Sequence, residues 1–82
     1  MVKFEINLGG IEGAKSFYNL IKNFDSDIDL CIGRYVIDAK SVLGIFSLNL
    51  ERNLTLVIHE KAAGEANKIY ALMKENGYLV EE

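Results

Sequence analysis

Ser41 is the residue whose type and position most directly point to chemistry. It stands before an apolar run, Val42-Leu43-Gly44-Ile45-Phe46, that reads as the start of a helix. A serine there accepts a hydrogen bond from a free backbone N–H, so its plain reading is an N-cap. Phosphorylated, the same hydroxyl would set negative charge near the positive end of the helix. The second candidate is Gly9-Gly10-Ile11-Glu12-Gly13, between a strand pattern and a helix pattern. Backbone N–H groups in such a loop can cradle a phosphate. The run is not G-x-G-x-x-G, however, and no Lys-Ser or Lys-Thr follows at P-loop spacing, so a flexible connector is the better reading.

Other candidate residues read as ordinary. Asp25, Asp27 and Asp29 alternate like calcium ligands, but Leu30 stands where the loop needs glycine and Val36 where it needs glutamate. They read as a solvated turn running into a strand edge. His59, the only histidine, reads as a partly exposed surface residue without an oriented partner. Cys31, the only cysteine, lacks a partner or a basic neighbourhood to activate it. No Ser-His-Asp arrangement and no metal-ligand cluster appears, so neither an enzyme nor a metal or cofactor site is expected.

Seven elements must position these residues. Val2, Phe4, Ile6 and Leu8 alternate with polar residues as a strand that Gly9-Gly10 ends. From about Glu12 the period becomes helical, with Ala14, Phe17, Leu20, Ile21 and Phe24 on one face and Asp25-Ser26-Asp27 as the close. Ile28 to Ile32 and Tyr35 to Asp38 form a hairpin across Gly33-Arg34. Ser41 to Leu50 reads as a short, very apolar helix, and Asn53 to His59 as a fourth strand. Ala62, Ala66, Ile69 and Met73 mark a last helix that stops at Asn76-Gly77, leaving Tyr78 to Glu82 as a loose tail. The order β-α-β-β-α-β-α, with one apolar face per strand, predicts an α+β fold: a four-stranded, mostly antiparallel sheet with three helices on one face.

Size and charge narrow the class. The 82 residues make one domain, residues 1–82, with no room for a second core. A net charge of -3, with the basic residues scattered, argues against nucleic acid or an anionic membrane as partner. One cysteine, no apolar signal region in Met1 to Glu5 and no membrane-length apolar run predict a cytoplasmic protein.

The segment Asp38-Ala39-Lys40-Ser41-Val42-Leu43-Gly44-Ile45-Phe46-Ser47-Leu48 resembles the regulatory-serine segment of HPr, the phosphocarrier of the bacterial sugar phosphotransferase system. The resemblance extends over roughly residues 2 to 76. It implies an HPr-like open-faced sandwich, with Phe24 ending the first helix. In many relatives the matching serine is the target of a dedicated kinase, which makes Ser41 a phosphorylation candidate. In HPr-like proteins the residues matching Val42, Leu43 and Phe46 belong to a docking surface for partner proteins. An apolar patch of that kind also agrees with the excess of apolar residues in this short helix.

The carrier segment departs from the family pattern. Carriers have a Gly-Leu-His-Ala-Arg-Pro-Ala-like run whose histidine takes and passes on the phosphoryl group. Spacing from Phe24 and from Ser41 places Gly10 at the histidine, Glu12 at the arginine and Gly13 at the proline. Gly10 has no nucleophile, Glu12 reverses the supporting charge, and Gly13 replaces a stiff ring with a freer residue. Three functions follow as expectations. The first is a regulatory HPr-like protein, phosphorylated at Ser41 by an HPr-type kinase and docking a transcriptional regulator. The second is an unphosphorylated protein-interaction module or homodimer. The third, and weakest, is a phosphocarrier with a displaced acceptor such as His59.

Overall fold

The computed structural model describes residues 1–81. Its elements are β1 (Val2–Ile6), α1 (Ile11–Ile21), β2 (Asp27–Ile32), β3 (Tyr35–Asp38), α2 (Val42–Phe46), β4 (Leu54–His59) and α3 (Glu65–Glu75). The strands form one sheet in the order β1-β4-β2-β3. Every pairing is antiparallel. β1 and β2 therefore run parallel to each other on either side of β4, and α1 makes the crossover between them.

Alternation sets the inner face. Phe4 and Leu56 are cross-strand partners, as are Leu56 and Leu30, and Leu30 and Ile37. Ile6, Leu54, Ile58 and Ile28 extend that apolar layer, and all four are buried. Onto it α1 sets Ala14, Phe17 and Ile21, and α3 sets Ala66, Ile69 and Met73. Phe4 meets Tyr70 of α3 edge to face, with ring centroids 5.1 Å apart. The other face of the sheet carries Lys3, Glu5, Asp27, Asp29, Cys31, Val36, Thr55, Val57 and His59, with no helix over it.

Several expectations need correction. α1 stops at Ile21, with Lys22 as its C-cap. Phe24 lies beyond the helix and packs half-buried against the core. α2 has five residues and ends at Phe46, because Ser47 turns its hydroxyl back onto the Gly44 carbonyl (2.6 Å) and the chain leaves the helix. Asp27 opens β2, an inner strand paired with β4 on one side and β3 on the other.

Ser26 is no part of a solvated turn. It is fully buried. Its hydroxyl donates to Glu65 Oε1 at 2.6 Å and accepts from the Lys61 N–H at 3.0 Å. The same Glu65 oxygen takes the Ser26 backbone N–H, while Oε2 takes that of Asp25. One carboxylate at the start of α3 thus holds the backbone leading into β2. These bonds, first of all the Ser26 hydroxyl, lower the Glu65 pKa below the usual carboxylate value.

The C-terminal stretch is not loose through Val80. The Asn7 N–H donates to the Tyr78 carbonyl at 2.7 Å, and the Val80 N–H to the Glu5 carbonyl at 3.0 Å. Leu79 bridges antiparallel to Ile6. The free edge of β1 offers unpaired backbone groups, and this stretch satisfies part of them. Glu82, the last residue of the predicted tail, lies outside the described residues.

Candidate functional site: the Ser41 helix and the glycine-rich loop

Ser41 caps α2. Its backbone is extended, and its Oγ accepts the Gly44 N–H at 3.2 Å. The approach to the cap is tightly built. Ala39 is buried and donates its N–H to the Ile28 carbonyl. Asp38 accepts the Lys40 N–H on its side chain and the Ser41 N–H on its carbonyl. The Lys40 ammonium bonds the Phe24 carbonyl, so this lysine is spent on structure. A Cβ on Gly44 would lie 2.5 Å from Ile37 Cγ2, so a glycine here lets α2 sit close against β3.

Of the apolar residues of α2, only Ile45 is buried. Leu43 is 85% exposed, and Val42 and Phe46 are each 39% exposed. Three apolar side chains therefore face outward within one and a half turns, directly after an exposed serine.

The glycine-rich loop is ordered by Asn7. Asn7 Oδ1 accepts the Gly9 N–H at 2.8 Å, while its Nδ2 donates to the Glu51 carbonyl (3.1 Å) and to Asn53 Oδ1 (2.9 Å). One side chain thus ties this loop to the segment after α2. Its partners there lie 44 and 46 residues away in sequence, too far for a local signal. Gly10 takes the N-cap place of α1 with φ of 141°, a value that disfavours any side chain, and offers no cap of its own. Gly13 is needed for close approach rather than loop freedom, since a Cβ there would lie 1.8 Å from the Leu8 carbonyl oxygen. Glu12 is almost wholly exposed, with Lys15 3.6 Å away.

The fold brings most of the singled-out residues together. Gly10, Glu12, Gly13 and Phe46 line one open depression of about 610 Å³. Val42 and Phe46 also line a neighbouring, largely apolar cleft of about 340 Å³ with Ala14, Tyr18 and Ile45. His59 is elsewhere. Pairing of Val2 with Ile58 and of Ile6 with Leu54 puts His59 beside the start of β1, while Gly10 follows its end. His59 also lies on the helix-free face, where its Nε2 is 3.2 Å from Asp29 Oδ2. It therefore does have a partner, one that only strand pairing reveals. Asp27 pairs with Lys61 at 3.2 Å, and Cys31 is half-buried beside Thr55. Among the described residues, no group of three or more His, Cys, Asp or Glu could hold a metal ion. Nor is any described helix long and apolar enough to cross a membrane.

Fold and site together define an open-faced α+β sandwich with a capped short helix beside the N-terminus of its first helix. Residues 12–75 match the family described as "PTS HPr component phosphorylation site". The chain belongs to the HPr family, and so is a relative of the phosphocarrier of the sugar phosphotransferase system. The match begins after Gly10 and includes Glu12, Gly13 and Ser41. The crystal structure of HPr-C-His from Thermoanaerobacter tengcongensis has the same fold, with a TM-score of 0.74 at 23% identity. That superposition covers 92% of this chain and 93% of the other. Proteins of this family are phosphate carriers that work by contact with other proteins.

Proposed function

We propose that this chain is a regulatory, non-catalytic HPr-family protein of the cytoplasm that does not carry phosphate on histidine. The observation behind this reading is the N-terminus of α1. Gly10 stands there with no side chain, Glu12 beside it is exposed and negative, and the only histidine lies at the far end of the sheet on the opposite face. A phosphoryl group at the loop would find neither an acceptor nor the arginine that carriers use. Incubation with phosphoenolpyruvate and the upstream phosphotransferase enzyme leaves the protein unlabelled on this reading. Stoichiometric acid-labile label would sink it, and label lost in His59→Ala would establish the displaced acceptor instead.

The retained function is docking through α2, switched at Ser41. Its hydroxyl is exposed and bonded only to the Gly44 N–H, a donor that a phosphate oxygen can take over. An HPr-type kinase is the modifying partner and a transcriptional regulator the docking partner. Incubation with that kinase and ATP labels the wild type and not Ser41→Ala; equal labelling of both would remove Ser41 as the site.

A second reading, an unphosphorylated interaction module or homodimer, is favoured by the outward apolar side chains of Val42, Leu43 and Phe46. It predicts an association that Phe46→Ala weakens and that kinase treatment leaves unchanged.

A further inference from the structure

We propose that the cleft between the β2–β3 turn and the segment after α2 binds a small phosphate monoester carrying a planar ring. The site adjoins the depression described above, sharing Leu48 and Asn49 with it, but has its own charged and aromatic residues. It has a volume of about 680 Å³, within the usual range of small-ligand pockets. Arg34, Tyr35, Ile37, Leu48, Asn49 and Arg52 supply its working surface. Its origin is the short α2: because the helix ends at Phe46, the inner face of β3 beyond it is left uncovered, and residues 47–53 return as an irregular wall.

Charge is the first argument. The chain contains two arginines, Arg34 and Arg52, and both line this one cleft. No Asp or Glu lines it, on a molecule whose net charge is -3. Lys15, His59 and Lys61 each have a carboxylate within 4.0 Å, whereas among the described residues neither arginine has one. Two arginines lining one cavity, neither paired with a carboxylate among the described residues, suit a dianion, because each planar guanidinium can donate two parallel bonds to phosphate oxygens.

Shape supplies the second argument. Tyr35 is 66% exposed and lines the cavity. Ile37 and Leu48 form apolar wall beside it, and Asn49 adds a side-chain amide. An isolated inorganic anion would use only the arginines. A planar group attached to the phosphate would also cover the tyrosine face and the apolar wall.

Adenosine monophosphate is a suitable probe, with adenosine, inorganic phosphate and a phosphoserine peptide as comparisons. Calorimetric titration should show saturable binding of the nucleotide and at least tenfold weaker binding of adenosine, with inorganic phosphate competing. Backbone amide shifts should be confined to residues 33–37 and 47–52. Arg34→Gln and Arg52→Gln should each weaken the nucleotide at least tenfold while leaving the rest of the amide spectrum in place. Absence of saturable binding, or binding indifferent to both substitutions, would overturn the proposal. So would a cleft saturated by the phosphopeptide and not by the nucleotide, since that would mark a protein-docking site.

Discussion

Gly13 and Ser26 show how much single residues can hold. An exposed helical glycine changed to alanine ordinarily gains about 0.5–1 kcal/mol. Gly13→Ala should do the opposite and lose about 2 kcal/mol or more, because its Cβ would collide with a backbone oxygen that cannot step aside. Urea denaturation measures the difference, and a stabilised variant would refute the close approach. Ser26→Ala leaves the part-buried Lys61 N–H without its partner and removes the shortest bond to Glu65. A cost of about 1–3 kcal/mol is expected from the unfolding midpoint.

The same cluster fixes a pH dependence. The folded Glu65 pKa is lowered, chiefly by the Ser26 hydroxyl, so the folded state holds the ionised form more tightly than the unfolded chain does. Its contribution is complete above the unfolded carboxylate value and disappears as pH falls through the lower, folded one. The melting temperature should therefore drop on acidification in that window. Glu65→Gln should be less stable at neutral pH and show a shallower acid drop; an unchanged acid profile would exclude this carboxylate as a source.

At the scale of elements, α2 combines a rigid base with an outward apolar surface. Ile45 and Gly44 fasten it, and Leu43 takes almost no part in the fold. Leu43→Ala should alter stability by no more than about 0.5 kcal/mol while weakening partner binding about tenfold or more. Loss of binding only together with loss of fold would argue against a docking role. The C-terminal stretch makes the contrasting case. Ending the chain after Gly77 removes the bonds from Asn7 to Tyr78, from Tyr78 to Met73 and from Val80 to Glu5, together with the packing of Tyr78. A loss of about 3 kcal/mol or more is expected from three hydrogen bonds and one aromatic contact, read from thermal melts.

For the molecule as a whole, the buried side chains of β1, β2 and β4 and of all three helices form one continuous cluster. Unfolding should thus be a single cooperative event, with far-ultraviolet circular dichroism and tyrosine fluorescence giving the same urea midpoint. Separate midpoints would mean that part of the chain melts independently.

Element type and order were legible because they depend on local period: two along the strands, near 3.6 along the helices. The Ser41 cap was legible for a similar reason, since its bond spans three residues. The length of α2 was misread because its apolar pattern runs on to Leu50, while the turn at Ser47 ends the helix. The burial of Ser26 was invisible because its partner lies 39 residues away. Long separations in sequence likewise hid the Asn7 clamp, the docked tail and the pair of His59 with Asp29.

By itself the sequence determined which residue types stand where: a serine at a helix start, and a glycine-rich loop that holds a glutamate and no histidine. Those are facts of residue type and short spacing. Tertiary structure alone decided which surfaces those residues share. It set Gly10, Glu12 and Phe46 around one depression, removed His59 to the other face, and gathered Arg34 and Arg52 in one cleft. The physical reason is that sheet register and helix length set such neighbours, and both are settled by packing across the whole chain.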